Sequence, residues 1–229
     1  MKSIVSLTAG AIAVALVSAA DGAMIAGWSI TTAFPTGTGN VPTGNTYSVG
    51  VADQGDQTAG STLSSYHLLA AATYTSPAGN GSQYAFSSNN WSTGDYYEAR
   101  VSTSNYGNVS VSWDQARSST GPASFELIFS VDGGQSWINA ATSTVLQSGG
   151  GGAPATWSTL TYNAIYTNSQ ALAGAENAGE LIIRFRSLVT GASSGSSRID
   201  NVVISGDLVP APGAVALLAV AGLVSRRRR

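Results

Sequence analysis

The sequence predicts an all-β chain folded as an antiparallel β-sandwich, and three observations predict it. Only 10% of its 229 residues are charged, and Gly, Ser, Thr, Asn and Ala are plentiful. That composition suits short strands joined by polar turns rather than amphipathic helices. Clusters of Gly, Pro, Asn and Ser punctuate the chain at residues 35–44, 77–81, 89–90, 118–122, 149–154 and 190–197. Between them lie short runs that alternate apolar and polar residues with period two.

Taken in chain order, residues 1–23 read as a secretory signal peptide. Lys2 supplies the positive start, residues 9–17 the apolar stretch, and Ser18-Ala19-Ala20 a small-residue cleavage site, with cleavage after Ala23 as the alternative. The stretch is too short for a permanent membrane helix. Residues 24–206 read as one domain without internal repeat. Residues 63–74 read as a short helix or as a loop carrying a strand, with irregular structure and some strand the favoured reading. In Val109-Ser110-Val111-Ser112-Trp113 the apolar residues face one way and the serines the other. Phe125, Leu127, Phe129 and Val131 share a face, and Leu181, Ile183 and Phe185 point inward with Arg184 and Arg186 outward. Residues 199–204 form a final, more buried strand. Strands at this spacing indicate a sandwich, of the jelly-roll kind. Residues 207–229 end the chain as a hydrophobic helix behind a proline pair.

Charge is unevenly placed. All twelve acids lie between Asp21 and Asp207, with five arginines and no lysine among them, a net charge of −7. Such a body repels phosphate backbones, so no nucleic-acid partner is expected. There is no cysteine, which excludes disulfides, thiolate metal sites and cysteine nucleophiles. The glycines at 149–152 form a loop and not a phosphate cradle, because no Lys-Ser/Thr pair follows them.

Several groups could carry chemistry. Trp91, Tyr96 and Tyr97 surround Asn89-Asn90-Trp91-Ser92-Thr93-Gly94-Asp95. Exposed rings stack on sugar faces while Asn89 and Asp95 bond hydroxyls, so these five residues are the candidate ligand contacts. Core packing competes for Trp91 and Trp113, and more strongly for Trp157. His67, the sole histidine, sits in no motif and reads as structural. Asp53 and Asp56 read as a solvated loop with too few ligands for an EF-hand. Asp95, Glu98, Asp114 and Glu126 could supply the carboxylate pair of a glycoside hydrolase, but their pairing is not legible in one sequence.

Three stretches resemble known families. Ser130-Val131-Asp132-Gly133-Gly134-Gln135-Ser136-Trp137 resembles the Asp-box hairpin, a structural turn remote from catalysis in the sialidases that carry it. Pro210-Ala211-Pro212, the apolar run 213–224 and Arg226, Arg227, Arg228 and Arg229 resemble the PEP-CTERM sorting tail, with Ala211 where the family has glutamate. The resemblance implies an exosortase-like processing enzyme as partner and transient residence in the inner membrane, the arginines holding the cytoplasmic side. A plain C-terminal anchor is the alternative. The body, through Phe86-Ser87-Ser88-Asn89-Asn90-Trp91, Gly94-Asp95-Tyr96-Tyr97 and Ser112-Trp113-Asp114-Gln115, resembles jelly-roll-like bodies of such tailed surface proteins. Arg198-Ile199-Asp200-Asn201-Val202-Val203-Ile204 resembles the last strand of carbohydrate-binding jelly rolls, where the aspartate often ligates a structural calcium; this implies calcium at Asp200. No other cofactor is expected.

The expected function is a non-enzymatic β-sandwich protein, exported through the inner membrane to the cell surface, outer envelope or extracellular matrix. There it binds extracellular polysaccharide or adheres. The alternatives are a structural envelope component without ligand, and an extracellular hydrolase. A hydrolase would show two close carboxylates in a cleft, or His67 beside a serine and an acid.

Overall fold

The computed structural model describes residues 22–34, 39–149 and 153–209. Residues 1–21 of the expected signal peptide and 210–229 of the expected sorting tail lie outside the described residues, whereas Ala23 belongs to β1 and Asp207 and Leu208 to β14. Within them the chain forms β1 (Ala23–Trp28), β2 (Gly39–Val41), β3 (Thr46–Gly50), β4 (Thr62–Tyr66), β5 (Ala72–Thr75), β6 (Phe86–Ser88) and β7 (Tyr96–Val101). It continues with β8 (Tyr106–Arg117), β9 (Ser124–Ser130), β10 (Ile138–Thr144), β11 (Leu146–Gln147), β12 (Thr167–Ala171), β13 (Leu181–Ser187) and β14 (Ser197–Leu208). A single 3-10 turn, Ala164–Tyr166, precedes β12.

These strands make two sheets. The six-stranded sheet runs β10-β9-β13-β7-β4-β3. The eight-stranded sheet is centred on β8 and β14, with β12 and β11 beside β8 and with β6 and β1 beside β14. All pairings are antiparallel except β11 with β8. The sandwich and its strand-by-strand alternation agree with the sequence. Phe125, Leu127 and Phe129 on β9 and Leu181, Ile183 and Phe185 on β13 are buried against Val109, Val111 and Trp113 on β8. Trp113 and Phe185 meet across the layers with ring centroids 4.9 Å apart. Each such side chain contributes about 1.5–3 kcal/mol by leaving water.

Two expectations change. Val131 is 41% exposed, because β9 ends at Ser130 and the chain turns there. Residues 63–74 contain β4 and β5, joined by a bent segment. The final strand also breaks its own period: Ile199, Val202 and Ile204 are all buried. A bulge between Asp200 and Val203 makes this possible, with Asn201 at φ +47°, a conformation asparagine tolerates better than most residues. At that bulge β14 exchanges β6 for β1 along one edge.

Candidate functional site

The structure separates the five residues that the sequence grouped as ligand contacts. Trp91 is 1% exposed. Its Nε1–H donates to Ser88 O at 2.9 Å, and its ring packs on His67, Tyr97 and Phe125. Tyr97 is buried with its hydroxyl on Ser197 O at 2.7 Å. Asp95 is buried, and Asn89 is half-buried with Oδ1 accepting Thr73 N–H at 2.8 Å. The roles of Trp91, Tyr97 and Asp95 are therefore corrected to interior packing, and Asn89 to a turn contact. The reason is the pleat of β7, which sends Tyr97, Ala99 and Val101 inward and Tyr96, Glu98 and Arg100 outward. Of the three rings, only that of Tyr96 reaches the outer face.

Asp95 belongs instead to an interior relay. His67 Nδ1 lies 3.0 Å from Asp95 Oδ2 and 3.2 Å from Asn90 O, both acceptors, so Nδ1 carries the proton. Nε2 then accepts from Ser88 Oγ at 3.1 Å. Asp95 is held by the N–H groups of Leu68 at 2.8 Å and Ser92 at 2.6 Å. This has the order of a serine–histidine–aspartate triad. All three side chains are no more than 2% exposed, however, so a substrate carbonyl has no approach to Ser88 Oγ. The relay ties the segment after β4 to the turn between β6 and β7, and a satisfied buried network rigidifies both.

The outer face of the six-stranded sheet carries a half-buried aromatic arrangement. Tyr66 on β4 stacks on Tyr96 of β7, its register partner, with centroids 5.3 Å apart and planes at 20°. The Arg184 guanidinium on β13 lies 4.0 Å from the Tyr96 centroid and 4.2 Å from that of Trp137. Strand order puts Tyr66 and Arg184 on opposite sides of Tyr96, and the β9–β10 hairpin brings Trp137 to the far side of Arg184. The result is a ladder of ring, ring, guanidinium and ring. Tyr96 has both flat faces covered, so the ladder offers its phenol hydroxyls, its guanidinium edge and the outer faces of its end rings. Beneath it Glu98 accepts from Arg100 Nε at 2.7 Å and Arg184 Nε at 2.6 Å. Glu126 accepts from Arg186 Nε at 2.6 Å and Asn139 Nδ2 at 2.9 Å.

The hairpin that delivers Trp137 is the Asp-box turn. Asp132 Oδ1 accepts from the N–H groups of Gln135 and Ser136, and Oδ2 accepts from Ser136 Oγ. These bonds favour the ionised carboxylate and hold its pKa well below the usual range. Gly133 and Gly134 take positive φ, and Trp137 Nε1–H closes on Gly134 O at 3.1 Å. The sequence marked Trp137 only as the last residue of the Asp-box stretch and did not single out Tyr66 or Arg184 as contacts. The signal that could have found them is the period-two alternation that sets Tyr96 and Tyr97 on opposite faces.

The remaining acids form no common cleft. Asp53 binds the Ser29 N–H and hydroxyl, whereas Asp56 accepts from the Tyr106 hydroxyl at 2.9 Å. Asp114 on β8 and Asp200 on β14 lie opposite each other in register within the eight-stranded sheet, and both are buried. Asp200 Oδ2 accepts from Asn80 N–H at 2.8 Å and Ser82 Oγ at 2.5 Å, while its buried Oδ1 meets no partner among the described residues. Asp114 accepts from Asn80 Nδ2, Asn201 Nδ2 and Thr167 Oγ1. The surroundings are thus donors, whereas calcium takes six to eight oxygens. No group of three or more metal-ligating acids or histidines exists among the described residues. Two carboxylates, Asp114 and Asp200, thus meet here, with amide and hydroxyl groups completing the cluster. Burial, with the Asp114 charge adding to it, pushes the Asp200 carboxyl up to about 7.

No family model matches the chain, and no curated protein matches it. Solved structures do. The CBM22-1 xylan-binding domain from Paenibacillus barcinonensis is 12% identical, with 85% of this chain and 100% of that one covered and a TM-score of 0.40. A cleaved adhesin domain of Lys-gingipain from Porphyromonas gingivalis is 12% identical, over 79% and 97%, with a TM-score of 0.43. A Clostridium thermocellum xylanase with CBM22-1 and GH10 modules, complexed with xylohexaose, is 14% identical with a TM-score of 0.42. The match covers 79% of this chain but only 28% of that one.

Proposed function

We propose that this chain is an exported surface protein whose β-sandwich binds polysaccharide, without catalysis, on the outer face of the six-stranded sheet. The observation that carries the reading is the ladder of Tyr66, Tyr96, Arg184 and Trp137, pre-assembled on four elements and half-buried on the outer face of the sheet. Rings held by their neighbours lose little freedom when a ligand arrives, so less binding energy goes into ordering them. Polar edges and end-ring faces side by side suit a sugar, which is apolar on its faces and polar at its rim. The sealed Ser88–His67–Asp95 relay and the arginine-paired Glu98 and Glu126 favour binding over hydrolysis. The signal segment supports export. The Pro210-Ala211-Pro212 tail with its terminal arginines supports processing by an exosortase-like enzyme after transient residence in the inner membrane.

The test is retention of the full-length protein on immobilised neutral and acidic polysaccharides. Tyr96→Ala and Trp137→Ala are each expected to weaken binding roughly ten-fold, with the melting temperature little changed. Trp91→Ala is expected instead to lower the melting temperature, because it empties the core. Retention by no glycan would favour a structural envelope component. Unchanged binding by both ladder variants would place the site elsewhere.

A further inference from the structure

Arg184 is fixed on three sides. Tyr96 covers one face of its guanidinium and Trp137 the other, and Nε–H is taken by Glu98. None of its four Nη N–H donors meets an acceptor among the described residues, and the side chain is 23% exposed. The part left open is therefore the Nη1/Nη2 edge, held in one plane by the two rings.

The charge around this edge has a direction. Arg100 and Arg186, 37% and 43% exposed, share the face with Arg184. Their main partners, Glu98 and Glu126, are sunk beneath them at 5% and 8% exposure. Glu98 serves both Arg100 and Arg184, and the exposed Glu180 reaches Arg100 only at 3.4 Å. Cations thus stand outward over buried anions on a body that is acidic overall. Three of the five arginines of the described body lie here.

We propose that this face selects carboxylate-bearing polysaccharides, with the Arg184 fork receiving the carboxylate of a uronic-acid residue. The proposal rests on the glycan-binding reading of the same face. A carboxylate is planar and takes two parallel N–H···O bonds from a guanidinium edge. The flanking rings admit a ligand in that plane and leave little room above or below it. Glu98 acts as a positioning residue, since its bond to Nε turns the free edge outward. The hydroxyls of a neutral sugar offer the open guanidinium edge no charged, planar acceptor, so discrimination follows from charge and geometry together.

The experiment compares binding of the full-length protein to polygalacturonate, alginate and hyaluronan with binding to the carboxyl-reduced form of each, which keeps the chain and removes the charge. At least one acid form is expected to bind ten-fold or more tightly than its reduced form, with the preference falling in high salt. Arg184→Gln should bring that ratio close to one. Arg184→Lys keeps the charge and the contact to Glu98 but lacks the planar fork, and should lose most of the preference while melting as the parent does. Equal binding of acid and reduced forms by the parent overturns the proposal and leaves glycan binding intact. So does a preference that survives both Arg184 variants, or retention on neutral xylan with none of the acids bound. Retention on no polysaccharide of either class overturns the glycan-binding reading as well.

Discussion

Asp200 shows what burial does to a single titratable residue. The carboxyl of Asp200 has donors on one oxygen and none on the other, with the Asp114 carboxylate opposite. Its pKa rises from 3.8 to about 7, so the folded protein binds this proton more tightly than the unfolded chain does. The resulting stability is fully present below the unfolded value and is lost as pH rises through about 7. Urea unfolding should therefore show the parent losing on the order of a few kcal/mol between pH 4 and pH 8 through this group. Asp200→Asn, neutral at every pH, should flatten that slope, and a parallel slope in the variant would show that Asp200 does not titrate this way. The position of Asp200 on the last strand was legible in the sequence. Its donors were not, because the loop carrying Asn80 and Ser82 is more than a hundred residues away. His67 is similar: no local motif marks it, and its partners Ser88 and Asp95 lie beyond a further strand.

Element by element, the strands were the most legible part, since alternation states which residues share a face. The same rule applied to β7 separates Tyr96 from Tyr97, and applied to β13 it places Arg184 outward. The Asp-box hairpin was legible as a turn, because Asp132, Gly133, Gly134 and Ser136 act on one another within five residues. What the turn presents was not legible. Trp137 meets Arg184 only because β9 lies between β10 and β13. Asp132→Ala removes four side-chain bonds within the hairpin, and it is expected to weaken glycan binding by releasing Trp137 while the core stays folded. Tryptophan fluorescence together with binding would check this; unchanged binding with a loosened hairpin would mean that Trp137 is not a contact.

For the whole molecule, the two ends of the body depend on each other. β1 pairs with β14 from Ala23 opposite Gly206 to Trp28 opposite Val202, and it buries Ile25, Ala26 and Trp28. Removing residues through Trp28 would open an edge of the central strand and empty part of the core. The expected result is loss of cooperative thermal unfolding, measured by circular dichroism. Retention of the parent's transition would show that β1 is dispensable. Under the proposed export, cleavage after Ala20 would preserve this strand entire, whereas cleavage after Ala23 would remove its first residue.

By itself the sequence determined the fold class, the turn at Asp132, the inward faces of β8, β9 and β13, and the acidic charge balance. Each of these is set by composition or by neighbours within a few residues, where pleat and turn chemistry act. The tertiary structure alone decided which aromatics face water, that Ser88, His67 and Asp95 meet in the interior, and that Arg184 lies between two rings. Those outcomes depend on strand order, and strand order brings together side chains from β4, β7, β13 and the β9–β10 hairpin that no local pattern connects.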